Sequence, residues 1–276
     1  MKPVVESSRI VETVCWRRGE HAAAGRAVPE EAAVALTYDG STHAVMMATP
    51  ADLEDFAIGF SLTEGVVGSP AEIETIEVVE EDAGIELRMR LAEPGATALA
   101  ARRRFLAGPV GCGLCGIESL NEALRPVPTV DGGAAVSYHT ILGALAGLRG
   151  GQPLHRETHA VHAAAFWRRD GEMVAVREDV GRHNALDKLA GALVTEGVPT
   201  ADGFILMTSR VSVELVQKAA MIGVSMLVAV SAPTALAIRI AEAAGMTIAA
   251  VARDDGFEVF SHPDRVIGAK VGDAVR

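Results

Sequence analysis

The chain has 276 residues, enough for one large domain or two small ones. Lys and Arg total 25 against 36 Asp and Glu, a net charge of -11. That balance argues against a general grip on nucleic acid, which needs a basic surface, but leaves room for one local basic pocket. Aromatic residues make up only 4%, so the core must be built mostly from Ala, Val, Leu and Ile. The first residues, Met1-Lys2-Pro3-Val4-Val5-Glu6, hold no apolar run and no signal peptide is expected. Apolar stretches such as 204–207 and 226–230 are too short to span a bilayer, so no membrane is expected as a partner. The expected location is the cytoplasm, where thiols stay reduced.

In chain order, the first part reads as strands, a helix and more strands. Segments 34–38 and 43–47 flank Asp39-Gly40 and predict a hairpin. Thr49-Pro50 then suits a helix start, with Thr49 as cap, and the helix stops near Gly65. Two strands are expected over 73–80 and 85–90, then a helix over 94–104 ending in three arginines, where positive charge offsets the dipole. The cysteine loop follows, with a short helix over 118–124, broken by Arg125-Pro126-Val127-Pro128. The domain boundary is placed there, giving residues 1–127 and 128–276.

The second part alternates. Helices are expected over 137–148, 184–195, 213–221 and 233–244. Strands are expected over 162–168, 173–177, 203–207, 226–230 and 247–251, with a last short one over 257–260. This order implies an α/β unit with a parallel or mixed sheet covered on both faces. Ligands in such sheets bind in loops beyond the strand C-terminal ends. Those loops hold Thr208-Ser209-Arg210, Ser231-Ala232-Pro233 and Arg253-Asp254-Asp255-Gly256.

The cysteines number three, Cys15, Cys112 and Cys115, which points away from a disulfide scaffold. Cys15, in an apolar strand-like segment, is read as a packed residue. The run Gly111-Cys112-Gly113-Leu114-Cys115-Gly116 is ambiguous by itself, since redox sites, zinc half-sites and persulfide carriers all use Cys-x-x-Cys. Without a second such pair a structural zinc is disfavoured, although His159 and His162 could complete one. The three glycines leave both thiols uncrowded, and a following helix N-terminus would raise their thiolate fraction. Such a thiolate suits sulfur relay: it takes a sulfur atom as a persulfide, and a second thiol helps release it by exchange. The alternative is a cysteine pair with no chemistry.

Segment 177–188 packs its charge into a strand-to-helix turn. Asp179 and Asn184 are candidate caps, and Arg182 and His183 would project near a helix N-terminus that favours an anion. The bland reading is a capped helix with surface charge, Lys188 being on an exposed face. Ser209, Arg210, Ser212 and Glu214 read either as a capping arrangement or as hydroxyl and guanidinium groups facing phosphate.

Five segments in order together resemble the formate dehydrogenase accessory sulfurtransferases (FdhD). They are 49–60 (Thr-Pro-Ala-Asp-Leu-Glu-Asp-Phe-Ala-Ile-Gly-Phe), 111–116, 177–188, 209–218 (Ser-Arg-Val-Ser-Val-Glu-Leu-Val-Gln-Lys) and 231–234 (Ser-Ala-Pro-Thr). The resemblance implies a smaller α+β N-terminal domain and a C-terminal domain of cytidine-deaminase-like α/β fold, in a homodimer. It implies a sulfurtransferase that accepts sulfur from a cysteine desulfurase and passes it to the bis-molybdopterin guanine dinucleotide molybdenum cofactor, for formate dehydrogenase. By the family motif Cys112 carries the persulfide and Cys115 assists. The guanine nucleotide ends would be held around Val251, Ala252, Arg253, Asp254, Asp255 and Gly256, with Arg182, His183, Ser209, Arg210 and His162 contributing. No metal ligand set is expected. One departure stands out: where the family usually has a glycine pair after Thr158, this chain has His159-Ala160. Two rivals stay open, a zinc-dependent deaminase and a cofactor chaperone that moves no sulfur. The first needs His-x-Glu, which His162-Ala163-Ala164 lacks.

Overall fold

A computed structural model describes residues 5–92 and 127–268. The expected helix over 94–104, the cysteine loop with Cys112 and Cys115, and the expected short helix over 118–124 lie outside the described residues.

The chain opens on a ribbon of which the sequence reading anticipated only the strand-like stretch around Cys15. Strands β1 (Ser8–Arg17) and β2 (Glu20–Pro29) pair antiparallel from Ser8↔Pro29 to Arg17↔Glu20. Arg18 and Gly19 both take positive φ, the geometry a two-residue hairpin turn requires. A two-stranded ribbon has no second layer to cover its faces, so Ile10, Val14 and Trp16 stay exposed. Cys15 lies on this ribbon and is only half-buried, which corrects its reading as a packed residue.

Next come β3 (Ala32–Tyr38), β4 (Ser41–Ala48), α1 (Leu53–Thr63), β5 (Ile73–Glu81) and β6 (Gly84–Leu91). The strands form one sheet in the order β4-β3-β6-β5, with β3 and β6 parallel. Asp39 and Gly40 turn at positive φ between β3 and β4, as the Asp-Gly pair predicted. Phe56, Ala57 and Phe60 of α1 pack on Val34, Leu36 and Leu87 to make this sheet's core. The helix starts at Leu53, later than expected. Asp52 holds its N-cap position at φ 52 without a side-chain capping bond, and Thr49 is used elsewhere.

The remaining elements are β7 (Val136–Ser137), α2 (Tyr138–Leu148), α3 (Pro153–Thr158), β8 (His162–Arg168), β9 (Met173–Asp179) and α4 (Arg182–Thr195). They continue with β10 (Gly203–Met207), α5 (Val213–Met221), β11 (Met226–Ala229), α6 (Ala235–Ala244), β12 (Thr247–Arg253), β13 (Gly256–Ser261) and β14 (Val266–Ile267). Six of these strands form a mixed sheet in the order β13-β12-β11-β10-β8-β9. Alternate residues along each strand face opposite sides. Ala164, Phe166, Ile205 and Met207 join a core with α4, α5 and α6. Ala165, Trp167, Phe204 and Leu206 join another with Ile141, Ala144 and Leu148 of α2. Ala, Val, Leu and Ile supply most of both, as the low aromatic content required.

The two sheets meet where α1 crosses α4. A Cβ at Gly59 would lie 1.7 Å from the Asp187 carbonyl oxygen, and one at Gly191 would lie 2.0 Å from that of Asp55. Only glycine permits this approach. It sets the start of α4, where the charged motif lies, against the end of β4.

Candidate functional site

Strands β10, β11 and β12 are parallel, and β8 runs antiparallel to both β10 and β9. Hence β9, β10, β11 and β12 all end at one edge of the sheet, and β8 begins there with His162. Backbone bonds lace the loops at this edge side by side. Val211 N donates to Ala232 O at 3.4 Å, Thr234 N to Val211 O at 2.9 Å and Val251 N to Ser231 O at 3.4 Å. The guanidinium of Arg253 donates to Val230 O and, at 2.8 Å, to Ala252 O. The edge predicted from strand order as a ligand rim is thus one continuous surface.

The start of α4 is its most charged part. Gly181 takes the N-cap position, so no side chain caps the free amides of this 14-residue helix. Arg182 Nε is buried without a hydrogen-bond partner. His183 Nε2 lies 3.5 Å from Ser212 Oγ and 3.9 Å from Glu214 Oε2, both at the start of α5. Glu214 Oε2 is itself buried without a hydrogen bond. Burial first, then the charges of Arg182 and Lys218, press the His183 pKa down to about 4, with Glu214 and Glu64 opposing. His162 Nδ1 is 3.5 Å from Thr208 Oγ1, and burial, then Arg182, also lowers its pKa. The rim therefore presents two neutral imidazoles beside an arginine whose Nε is unsatisfied.

Two buried lysines fix this geometry from behind. Lys188 Nζ is 2.7 Å from Asp179 Oδ2 and donates to Thr49 O at 2.8 Å. Asp179 also accepts from Thr49 N at 3.0 Å, Gly181 N at 2.7 Å and Asn184 Nδ2 at 3.0 Å. One turn along α4, Asp187 meets Lys218 Nζ at 2.9 Å, and Lys218 reaches Glu64 Oε1 at 2.5 Å. Two sequence readings are corrected here. Lys188 is fully buried rather than exposed, because α1 covers the face it lies on. Asn184 caps no amide; its side chain donates to Met47 O at 2.8 Å instead.

The other predicted residues divide. Ser209 is buried and its hydroxyl donates to Arg210 O at 3.0 Å, while Arg210 is exposed. Segment Val251 to Gly256 is the β12–β13 hairpin: Ala252 is buried, Arg253, Asp254 and Asp255 are exposed, and Val251 takes φ 55. Positive φ is rare for a β-branched residue. Ser212 makes no side-chain cap on α5; its hydroxyl bonds the Glu214 carboxylate, and both residues face His183. The Thr49–Asp179–Lys188 network behind the rim was missed, whereas Thr208 lies in a loop the strand order had marked. The crowding of charge in 177–188 was the available signal for that network. Among the described residues no group of three His, Cys, Asp or Glu could hold a metal ion, and no helix is long and apolar enough to cross a membrane.

A model of the FdhD/NarQ family matches residues 29–267. The chain belongs to that family. It is 53% identical over 265 residues to the sulfur carrier protein FdhD of Agrobacterium fabrum, covering 96% of this chain and 98% of that protein. It is 52% identical over 261 residues to the protein of the same name from Brucella abortus, covering 94% and 97%. A crystal structure from Desulfotalea psychrophila, described as a formate dehydrogenase accessory protein, superposes with a TM-score of 0.73. That match covers 95% of this chain and all of the other at 22% identity, so it speaks for the shared fold alone. The mixed α/β architecture is thus one that this FdhD/NarQ chain has in common with a solved accessory protein.

Proposed function

We propose that this chain is a sulfur carrier serving formate dehydrogenase, with Cys112 as the persulfide residue and Cys115 as its assistant. The reading is carried by the glycine-flanked Cys112 and Cys115 in a chain whose relatives at 53% and 52% identity are named sulfur carrier protein FdhD. The donor is a cysteine desulfurase. The Cys112 thiolate attacks the outer sulfur of the donor's persulfide, forms Cys112–S–SH and frees the donor thiolate. Attack by the Cys115 thiolate on the inner sulfur then breaks the S–S bond. It leaves a Cys112–Cys115 disulfide and releases hydrosulfide, so the two thiols supply the two electrons that reduce the sulfur.

The acceptor is the bis-molybdopterin guanine dinucleotide molybdenum cofactor, bound as substrate. The rim fits its anionic groups. An uncapped 14-residue helix start and the partly buried Arg182 guanidinium beside it both favour a phosphate oxygen. We place the guanine nucleotide ends along His162, Arg182, His183, Ser209, Arg210 and the hairpin Val251 to Gly256. In this reading the protein is a cytoplasmic homodimer. Its chain divides at 127/128 into an α+β domain and a cytidine-deaminase-like domain, the latter built on the six-stranded sheet.

The test is complementation. In cells lacking the native protein, Cys112→Ala leaves formate dehydrogenase inactive although the variant is folded and abundant. A chaperone that delivers the cofactor without moving sulfur would retain activity with the same change.

A further inference from the structure

We propose that anion binding at the start of α4 is coupled to protonation of His183, with Glu214 as the positioning residue that receives the new N–H. The inference rests on the ligand reading above and adds its control by pH.

The free protein holds two unsatisfied groups of opposite kind around one imidazole. Arg182 Nε is a buried donor without an acceptor, and Glu214 Oε2 is a buried acceptor without a donor. His183 Nε2 faces Glu214 Oε2 at 3.9 Å, just beyond hydrogen-bond reach, with Ser212 Oγ at 3.5 Å. A glutamate side chain can close that gap by a small rotation. A proton on His183 would satisfy Glu214, and an anion that draws the Arg182 guanidinium outward would satisfy Arg182, whereas either alone satisfies one.

Burial is the main reason the His183 ring stays neutral, and the charges around it add to that. On α4 itself stand Arg182 and, one turn on, Asp187. Across from them α5 presents Glu214 and Lys218, and the end of α1 presents Glu64. Lys218 is already matched by Asp187 at 2.9 Å and Glu64 at 2.5 Å. The charge left to oppose an imidazolium is Arg182. A phosphate oxygen on Arg182 cancels that opposition and leaves the Glu214 carboxylate to favour the charged ring. By reciprocity, ligand raises proton affinity and protons raise ligand affinity.

GDP-mannose is a suitable probe, because its pyrophosphate diester has no group that titrates near neutral pH. Titration calorimetry at pH 5.5 in two buffers of different ionisation enthalpy should show net proton uptake on binding. Affinity should rise severalfold from pH 7.5 to 5.5, as linkage requires of a group whose pKa the ligand raises from about 4. His183→Gln should remove the uptake, and Glu214→Gln should cut it to about half or less. In wild-type protein the His183 ring resonance should titrate at higher pH with ligand than without, which decides the matter even if the variants do not fold. Binding that is flat with pH, with no proton taken up, overturns the coupling and leaves the ligand reading standing. No binding at any pH overturns the ligand reading, and the coupling falls with it.

Discussion

Lys188 Nζ lies 2.7 Å from Asp179 Oδ2, and both side chains are completely shielded from water. The pair stands between α1 and the start of α4, with Thr49 O as a further acceptor for the ammonium. It ties the end of β4 to the helix that carries Arg182 and His183. Removing one partner leaves the other charge buried, which costs roughly 3–5 kcal/mol. Lys188→Met should therefore lose about that much in urea unfolding. Pairing it with Asp179→Asn should recover part of the loss, because the lone carboxylate is then gone. A single variant as stable as wild type would show that the pair does not fix the helix start.

His159 sits in the left-handed region at φ 58, at the C-terminal cap of α3. A residue with a Cβ stands here in a conformation that costs a side chain about 1–2 kcal/mol. His159 is exposed, and its only ring neighbour among the described residues is His155, with centroids 5.5 Å apart. His159→Gly should stabilise the protein by about 1 kcal/mol in chemical denaturation. A loss of stability would show that the His155 contact outweighs the backbone strain.

The burial of His183 has a pH signature in the free protein. Its folded pKa, about 4, lies below the unfolded value of 6.5, so the unfolded chain binds more protons between those limits. Its contribution to stability is therefore complete above pH 6.5 and is lost as pH falls through 6.5 towards 4. A quarter of the side chain is exposed, so the loss is about 2 kcal/mol rather than the full value of the shift. Unfolding free energies measured from pH 7 to 4 should fall by this amount. His183→Asn should flatten that part of the curve.

Much of this molecule was legible from local pattern, and what was not depended on distant partners. Asp39-Gly40 between apolar runs predicted the β3–β4 turn, because backbone angles at a turn are a local matter. The bounds expected for β8, β10 and α5 match the structure, since buried strands and amphipathic helices carry their own periodicity. The pairing of β1 with β2 went unseen. Its second strand, Glu20–Pro29, is rich in alanine and buries little, so it shows no alternation to detect. Thr49 was read as a cap and Lys188 as exposed, because both roles are set by contacts spanning more than a hundred residues. The sequence left Arg182 and His183 open between surface and site, because the Ser212 and Glu214 side chains that face His183 come from another element.

The central claim is that Cys112 carries sulfur. The direct measurement is mass spectrometry of the protein after incubation with a cysteine desulfurase and cysteine, without reductant. One added sulfur atom on the peptide containing Cys112, absent from Cys112→Ala protein, is the predicted result. A Cys112 peptide that never gains sulfur while the desulfurase turns over would contradict it.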